Sequence, residues 1–292
     1  MDLSVIVVNY NAREHLRECL SSVADHAGPI RYEQIVVDNA STDGSSEYLA
    51  TNFPELHLLQ NASNVGFGRA CNQGFAVSRG NFLLLLNPDA RIVSGLLSDA
   101  LDYFRQHADV GILGGKVLNP DGSLQTACRR SIPTTRSAFF HLAGLSRMFP
   151  KHRKFGEYNL AFLDADETAD VGAVSGSFLM VRREVMESIL GFDERFFMYG
   201  EDLDLCLRAA RAGKRVVYWP RIAAVHSKGA SVKSRRFASW FHFYDAMWLF
   251  YKKHYGKAPW WKNAAVYCAI WLAGLAGLFR EFITYPFRKR EK

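Results

Sequence analysis

Three carboxylates and one histidine in the second half of the sequence could support transfer chemistry. Glu201, Asp202 and Asp204 stand on the first turn of a predicted helix, and His226 comes 24 residues after Asp202. Carboxylates act as general bases, and a carboxylate with an imidazole suits Mg²⁺ or Mn²⁺. Acidic residues also stabilise any helix start, because the first amides and the helix dipole favour negative charge. The cluster is therefore either a metal-assisted site with its own base or a stabilised helix end.

The adjacent carboxylates cannot share one role. Neighbouring helix positions point about 100° apart, so at most one of Glu201 and Asp202 aims squarely at a substrate. Crowded carboxylates raise one another's pKa, which suits a general base. His226 is either a packed residue or a ligand. Its position just after the last predicted strand, before the run 227–231, favours the ligand.

The elements that must position these residues alternate from the start of the chain. Strands are predicted over 3–8, 32–37, 56–59 and 81–86, with one helix reaching Ala27 and another over 66–78. Strands alternating with helices predict a parallel, helix-covered sheet. Three of the strands end in polar clusters, at 9–11, 38–43 and 87–89. Because ligands of such sheets bind at the carboxyl ends of the strands, these clusters predict one binding edge.

Two of these clusters carry a carboxylate that could contact a ligand. Asp38 can accept a hydrogen bond from the N3–H of a pyrimidine base, or it can cap an Asx turn. Asp89 follows a proline at the mouth of the sheet, where one carboxylate can hold a cation that bridges two phosphates. It can equally be a simple turn residue. The residues by themselves leave these alternatives open.

The pattern is less regular after residue 110. A turn at Asn119–Gly122 precedes a basic stretch, residues 123–156, which has no acidic residue and seven basic ones: Arg129, Arg130, Arg136, Arg147, Lys151, Arg153 and Lys154. This stretch is either a binding loop over the site or a solvated surface excursion. Further predicted elements are a strand over 174–181, helices over 183–190 and 201–212, and a last strand over 216–219 that ends before Pro220.

Bulk properties indicate an ordinary folded protein that does not bind nucleic acid. The 292 residues are 49% apolar and 22% charged, enough for one large α/β domain with an appendage. The net charge of +7 resides in residues 233–292, which hold 12 Lys or Arg against 3 Asp or Glu, whereas the remainder holds 24 against 26. Five scattered cysteines without C-x-x-C spacing indicate reduced thiols, and the first residues predict no signal peptide.

Together these segments resemble the inverting family-2 glycosyltransferases of the GT-A fold, and among them the bacterial rhamnosyltransferase-like enzymes that build cell-surface polysaccharides. The resemblance covers residues 3 to about 231 in the family's order. It rests on the segments Ser4–Asn11, Val37–Gly44, Asn64–Asn72, Leu86–Asp89, Gly176–Met180, Gly191–Phe197, Gly200–Asp204 and Val225–His226. It implies an α/β, mixed but mostly parallel sheet over residues 1–232, and an acceptor hydroxyl that attacks a nucleotide-diphosphosugar donor with inversion.

The resemblance also implies roles for single residues. Asp202 is expected to be the catalytic base, Glu201 to hold the acceptor, and Asp38 to recognise the base of the donor. Asp89 and His226 are expected to bind a divalent metal, Mg²⁺ or Mn²⁺. The other expected contacts are Val8, Asn9, Asn64, Gly66, Arg69 and Asn87 for the nucleotide sugar, and Gly176 and Trp219 for the acceptor. The family's D-x-D element reads Asn87–Asp89 with one carboxylate lost, so metal binding without donor is expected to be weak.

Residues 233–292 lie outside the resemblance and are predicted to form a helical tail. Its first part carries an aromatic stripe at helical spacing: Phe237, Trp240, Phe241, Tyr244, Met247, Trp248 and Tyr251. Residues 264–279 are 16 uncharged residues, short of the roughly 20 that a membrane span needs. Aromatic and basic flanks, with Arg288–Arg290 at anionic head groups, suit a helix in the membrane interface. A helix pair that forms a homodimer is the alternative.

The predicted function is transfer of a sugar to a polyprenyl-diphosphate-linked surface glycan, at the cytoplasmic face of the plasma membrane. The expected donor is dTDP-rhamnose, and the alternative is another hexosyl or galactofuranosyl donor, such as a UDP-sugar. A nucleotidyltransferase would want a glycine-rich basic loop after the first strand, where Asn9–Arg13 stands. A non-catalytic membrane-bound scaffold is a further alternative, against which the joint presence of the four expected site residues argues: Asp38, Asp89, Asp202 and His226.

Overall fold

A computed structural model describes residues 1–134, 136–137, 140, 144–149, 151–227 and 236–288, without the side chains of 147, 236 and 280–288. The chain divides into two compact units. The sheet unit comprises Met1–Phe197 and Glu201–Lys233, and the helical unit comprises Met198–Gly200 and Ser234–Lys292.

The elements are numbered here in chain order. The strands are β1 (Leu3–Asn9), β2 (Tyr32–Asp38), β3 (His57–Gln60), β4 (Phe82–Leu86), β5 (Ala90–Ser94), β6 (Val110–Leu118), β7 (Arg129–Arg130), β8 (Ala169–Asp170), β9 (Ala173–Val174), β10 (Phe178–Arg182) and β11 (Arg215–His226). The α-helices are α1 (Arg13–Asp25), α2 (Ser45–Asn52), α3 (Phe67–Val77), α4 (Leu97–Gln106), α5 (Leu145–Met148), α6 (Arg183–Ser188), α7 (Glu201–Arg211), α8 (Arg236–Tyr255) and α9 (Trp260–Arg288). A 3₁₀ turn at Thr126–Cys128 precedes β7.

The sheet unit is built on a nine-stranded mixed sheet. Its order is β3-β2-β1-β4-β10-β6-β11-β5, with β8 on β11, while β7 and β9 form a separate pair. The first four strands lie parallel, and β10 enters antiparallel between β4 and β6. β1 is buried along its whole length, as expected for a strand covered on both faces. The predicted α/β sheet with a C-terminal helical extension is confirmed.

The carboxyl ends of the parallel strands meet at one edge of this sheet. Asn9 at the end of β1 pairs in register with Asp38 at the end of β2. β4 is parallel to β1, so the segment 87–89 leaves the sheet at the same edge. β11, which is parallel to β6, ends at His226. The topology therefore gathers the polar strand ends that the sequence separates widely.

The last strand is longer than predicted. β11 runs through Pro220 to His226, so the expectation that it ends before the proline is wrong. Its register against β6 shifts between Tyr218 and Ala223, and its pairing with β5 begins only at Ala223. Pro220 therefore lies in an irregular stretch where a missing amide proton removes no ladder bond. The predicted strand 174–181 is likewise divided into β9 and β10, with residues 175–177 between them.

The helical unit contains α8 and α9, which pack on each other. Trp240 Nε1 donates to the Gly274 carbonyl at 3.0 Å, and the Tyr251 hydroxyl donates to Asn263 Oδ1 at 3.1 Å. α9 is 29 residues long. Its segment Trp260–Phe279 is the one helical stretch within the described ranges with the length and composition of a membrane span. The helix thus extends the uncharged stretch 264–279 by four residues at its start, to the length of a span. Lys289, Arg290 and the run 228–231 lie outside the described residues.

Candidate active site

Asp89 and His226 meet at the carboxyl edge of the sheet. Asp89 Oδ1 lies 3.1 Å from His226 Nε2, and the two side chains are only 9% and 10% exposed. Asn87 Nδ2 lies 3.2 Å from the same ring nitrogen. The structure therefore brings together the two predicted metal ligands, which are far apart in the sequence.

Gln125 determines how the imidazole of His226 presents its nitrogens. His226 Nδ1 lies 3.1 Å from Gln125 Oε1, while Gln125 Nε2 donates to the His226 carbonyl at 2.7 Å. An amide oxygen only accepts hydrogen bonds, so Nδ1 carries the proton in this contact. The lone pair of the neutral ring is then on Nε2, on the side of Asp89. Such an outer partner is the usual device that orients a metal-binding histidine.

The donor set of this corner fits a divalent cation. Ligand atoms that bind at roughly 2.0–2.2 Å and at right angles lie about 3 Å apart, close to the 3.1 Å between Asp89 Oδ1 and His226 Nε2. No group of three or more candidate ligands from His, Cys, Asp and Glu occurs in the part of the chain that the structure describes. Two protein ligands leave positions for phosphate oxygens and water, which is how Mg²⁺ is commonly held.

Asp202 lies on the first turn of α7 and accepts hydrogen bonds from three donors. Its Oδ2 accepts from Arg130 Nη2 at 2.6 Å and from the Gly176 amide at 3.1 Å, and its Oδ1 accepts from the Leu203 amide at 2.7 Å. The Arg130 and Asp202 side chains are each 11% exposed. A carboxylate offers about four acceptor positions, so one remains, on Oδ1, for an incoming hydroxyl.

Glu201 and Asp204 have different surroundings from Asp202. Burial, and next the charge of Asp202, raise the pKa of Glu201 from 4.5 to about 8. Its Oε2 is buried without a hydrogen-bond partner among the described residues. Asp204 is fully buried and paired with Arg208 at 2.7 Å, which is a structural role. The three carboxylates thus have different surroundings, as expected for helix positions that point in different directions.

Asp38, which is predicted to recognise the nucleotide base of the donor, lies in a hydrogen-bonded corner between the ends of β1 and β2. Asp38 Oδ1 accepts from Asn9 Nδ2 and from the Ser41 hydroxyl, both at 2.6 Å, and its Oδ2 accepts from the Ser41 amide at 3.0 Å. Asp38 therefore caps this turn, whatever else it binds. Asn9 Oδ1 is buried and lacks a partner within the described residues. Asn11 and Ala40 have φ of +52° and +62°, and such strain clusters at ligand sites.

Gly66 and Phe67 connect this corner to the carboxylate helix. Gly66 donates to Asn64 Oδ1 at 3.0 Å, and its carbonyl accepts from Asn39 Nδ2 at 3.2 Å. The Phe67 amide donates to the Phe197 carbonyl at 2.8 Å. The Phe67 ring lies 3.5 Å from where a Cβ on Gly176 would sit. The expected contacts Asn64, Gly66 and Gly176 therefore belong to one connected region.

A short bridge joins the Asp89–His226 corner to Asp202. The Asn87 amide donates to the Ser177 carbonyl at 3.2 Å, and the amide of the preceding residue, Gly176, donates to Asp202. Residues 175–177, the break between β9 and β10, thus separate the predicted metal ligands from the predicted base.

Trp219 and Arg69 make other contacts, and Val8 is mostly buried. Trp219 is 4% exposed and packs in the core, 5.6 Å between ring centroids from Tyr103 of α4, so it has little surface for an acceptor. The Arg69 side chain is 58% exposed and lies 3.6 Å from Glu194. Val8 is 7% exposed within β1. We leave Trp219 and Arg69 out of the proposed site for these reasons.

Sequence reasoning missed Gln125 and Arg130. Both lie in the basic stretch, which is neither wholly a loop over the site nor wholly a surface excursion. Arg129 is 2% exposed and donates to the Leu163 and Asp164 carbonyls, whereas Arg136 is exposed and pairs with Glu157 at 3.0 Å. Because residues 123–156 contain no acidic residue, the hydrogen-bond and ion-pair partners of these arginines come from outside the stretch.

A family comparison identifies the class of this protein. The model for Glycosyl transferase family 2 matches residues 4–190, more than half of the chain. The chain therefore belongs to glycosyltransferase family 2, and it is a glycosyltransferase. Within that family it falls in the rhamnosyltransferase-like branch.

Two curated relatives carry that placement. The N-acetylglucosaminyl-diphospho-decaprenol L-rhamnosyltransferase of Mycobacterium tuberculosis (H37Rv) is 32% identical over 240 residues, 78% of this chain and 77% of the relative. The rhamnosyltransferase WbbL of Escherichia coli K12 is 48% identical over 52 residues, 18% of this chain and 20% of that protein. The predicted family and branch are confirmed.

A solved structure supports the fold. The crystal structure of S. aureus TarS 1-349 superimposes with a TM-score of 0.58 at 21% identity. The match covers 85% of this chain and 64% of that chain. At this identity the likeness concerns the fold alone, and it confirms the expected GT-A architecture.

Proposed function

We propose that this protein is an inverting glycosyltransferase that transfers L-rhamnose from dTDP-rhamnose to a hydroxyl of a lipid-linked glycan. One observation carries the proposal: the Asp89–His226 pair and a carboxylate with a free acceptor position lie on either side of residues 175–177. A donor diphosphate at the first and an acceptor hydroxyl at the second would bring the reacting atoms together. Such positioning supplies much of the rate enhancement of transfer enzymes.

The nucleotide end of the donor belongs at the β1–β2 corner. There the Asp38 carboxylate, held by Asn9 and Ser41, would accept from the N3–H of a pyrimidine once the corner opens to the ligand, and the buried Asn9 Oδ1 beside it lacks a partner among the described residues. Asn64 and Gly66 shape the adjoining loop. A pyrimidine nucleotide suits this acceptor pattern, and both dTDP- and UDP-sugars carry one.

The transfer step needs one base. Asp202 takes the proton of the acceptor hydroxyl, whose oxygen bonds to the anomeric carbon from the face opposite the diphosphate. The bond from that carbon to the diphosphate oxygen breaks, and the nucleoside diphosphate leaves. Glu201, neutral near pH 7 because its pKa lies at about 8, can both donate to and accept from an acceptor hydroxyl.

Asp89 and His226 would hold the divalent cation. When bound, the cation offsets the negative charge that develops on the departing diphosphate. Only one carboxylate contributes, so tight binding is expected when phosphate oxygens complete the coordination. The proposal therefore includes metal binding that is strengthened by the nucleotide.

The acceptor class is inferred from the relative from Mycobacterium tuberculosis, whose name specifies an N-acetylglucosaminyl-diphospho-decaprenol acceptor. We extend to this chain a polyprenyl-diphosphate-linked glycan, used at the cytoplasmic face of the plasma membrane. The basic, aromatic tail would bring the site to that lipid surface.

A donor panel tests this function. Binding and slow hydrolysis of dTDP-rhamnose, UDP-galactose, UDP-galactofuranose, UDP-glucose, UDP-N-acetylglucosamine and GDP-mannose are measured with Mn²⁺, Mg²⁺ or EDTA. Metal-dependent selection of dTDP-rhamnose is the expected result, and selection of another donor would keep the chemistry but replace the sugar. Failure to bind any nucleotide sugar would overturn the proposal in favour of a non-catalytic scaffold.

A further inference from the structure

Two side chains of one short segment, Gln125–Arg130, reach both sides of the site. Gln125 contacts His226 through its oxygen at 3.1 Å and its nitrogen at 2.7 Å. Arg130 Nη2 contacts Asp202 Oδ2 at 2.6 Å and the Val174 carbonyl at 3.2 Å. The 3₁₀ turn and β7 connect these two contacts within six residues of chain.

The segment is itself firmly held. The Gln125 amide donates to the Val117 carbonyl at 2.8 Å, and the Cys128 amide closes the turn on the Gln125 carbonyl at 3.0 Å. Arg129 pairs with Val174 across β7 and β9, and its buried guanidinium binds loop carbonyls. Anchoring at both ends limits the freedom of the side chains between them.

We propose that Gln125 and Arg130 are positioning residues for the transfer reaction. Gln125 holds the imidazole of His226 with Nε2 toward Asp89, and Arg130 holds the carboxylate of Asp202 beside Gly176. This assignment rests on the proposed function. It differs from a merely structural role, because each residue acts on a different step: Gln125 on metal and diphosphate binding, Arg130 on proton acceptance.

Binding of Mn²⁺ in the presence of dTDP tests Gln125, with isothermal titration calorimetry as the readout. Gln125→Leu is expected to weaken Mn²⁺ binding by roughly 10–100-fold, as loss of an outer-shell partner does. Gln125→Glu keeps an acceptor for Nδ1–H but loses the donor to the His226 carbonyl, so it is expected to lose less affinity than Gln125→Leu. Gln34→Leu is the matched control, because Gln34 also donates to a backbone carbonyl, that of Leu20 at 2.9 Å, but on a different strand.

Wild-type affinity in Gln125→Leu would overturn the assignment, and so would equal losses in the Leu and Glu variants. The second result would show that the acceptor for Nδ1–H makes no difference to metal binding. A wild-type chain that binds neither dTDP nor Mn²⁺ would instead overturn the proposed function, and the Gln125 assignment with it. The two failures are therefore distinguishable.

The pH dependence of kcat/KM tests Arg130. A neighbouring cation favours the ionised form of a carboxylate, so Arg130→Gln is expected to move the acid limb of the profile to higher pH. The other titratable groups around this ion pair are Glu201, Cys206 and Tyr158, all of which Arg130→Gln leaves in place. Arg130→Lys keeps the charge and is expected to leave the acid limb near its wild-type position.

Arg136→Gln is the control, because that arginine is exposed and pairs with Glu157. Its profile should superimpose on that of the wild type. An unshifted acid limb in Arg130→Gln would overturn the Arg130 assignment. Should Arg130→Gln fail to fold, Arg130→Lys decides, because a shift in a folded variant that keeps the charge would also contradict the assignment.

Discussion

At the scale of single residues, two adjacent carboxylates have opposite electrostatic settings. Asp202 faces a guanidinium and two amides, all of which donate hydrogen bonds to its carboxylate. Glu201 is buried and its Oε2 lacks a hydrogen-bond partner among the described residues, so burial favours its neutral form although the charge of Arg130 opposes this. Paired carboxylates whose environments differ in this way commonly divide acid and base roles. This difference supports the proposal that Asp202 is the base and Glu201 contacts the acceptor.

Replacing Asp202 tests the base directly. Asp202→Asn keeps the shape and the hydrogen-bond acceptor but cannot take a proton, so turnover is expected to fall by roughly 10²–10⁴-fold. Donor binding, followed by calorimetry, should persist because the donor contacts lie elsewhere. The exposed Asp25→Asn serves as the control. Near-normal turnover in Asp202→Asn would move the base to Glu201.

Glu201 makes a separate prediction about stability and pH. Its pKa is raised from 4.5 to about 8 by burial and by Asp202, so the folded state binds a proton that the unfolded state releases. This contribution to the free energy of unfolding is complete below about pH 4.5, declines with rising pH, and is lost above about pH 8. Glu201→Gln stays neutral at every pH. The difference between the Tm of Glu201→Gln and the Tm of the wild type should therefore increase in favour of the variant as pH rises from about 5 to about 8.5.

Thermal melts of both proteins across that pH range measure the effect. Glu55→Gln, at an exposed position, supplies the control and should track the wild type throughout. A Tm difference between Glu201→Gln and the wild type that does not change with pH would show that Glu201 does not hold this proton.

At the scale of elements, the site depends on strand ends and helix starts that loops hold in place. α3 begins after Gly66, and α7 begins with Glu201. The Phe67 amide bonds to the Phe197 carbonyl, which ties the start of α3 to the segment that leads into α7. The geometry between the loop that carries Gly66 and the carboxylates therefore depends on how closely the backbone approaches at Gly66.

Gly66 is expected to be intolerant of any side chain. It has φ +89° and ψ 168°, a region that is nearly exclusive to glycine, and an added Cβ would lie 2.6 Å from the Phe197 carbonyl oxygen. Gly66→Ala should lower the free energy of unfolding by roughly 1–3 kcal/mol from backbone strain alone, and more from the clash. It should also weaken donor binding.

Gly122→Ala is the matched control for urea denaturation and for donor titration. Gly122 has φ +81°, but nothing lies within 4 Å of an added Cβ. The left-handed backbone alone should cost this variant roughly 1–2 kcal/mol, without any change in donor binding. Equal stability and equal donor affinity in the two variants would contradict the role assigned to the Gly66 loop.

At the scale of the whole molecule, the charge and the exposed apolar surface share one end of the chain. Residues 233–292 carry a large positive excess, and α9 exposes Leu272, Leu275 and Phe279 by 57–68%. An apolar helix face with basic neighbours favours binding to an anionic membrane. We propose that α8 and α9 attach the enzyme to the membrane that holds its acceptor.

Vesicle flotation tests this attachment. The full chain is expected to float with vesicles that contain phosphatidylglycerol and to float less as NaCl screens the charges. Replacing Leu272 and Leu275 with Asp should reduce flotation, because it places charges on the apolar face. Replacing Met148 and Leu190, which are 69% and 88% exposed in the sheet unit, with Asp is the matched control. If the wild type does not float with the vesicles and sediments as a dimer, the tail is an oligomerisation element instead.

The sequence by itself determined the class of the fold and the edge of the sheet that carries the candidate site. β-branched strands that end in polar residues, such as β1 at Asn9 and β2 at Asp38, follow from local periodicity, and parallel pairing then places their ends together. The separation of Glu201 from Asp202 follows from the helical period in the same way.

Only the tertiary structure decided which side chains complete the site. Arg130 lies 72 residues before its partner Asp202, and Gln125 lies 101 residues before His226. The long strand through Pro220 and the burial of Trp219 likewise depend on which strand and helix lie alongside. Local patterns indicate where strands and helices begin and end. The contacts named above depend instead on a sheet order in which β10 and β11 lie beside strands from much earlier in the sequence. No local periodicity encodes that order.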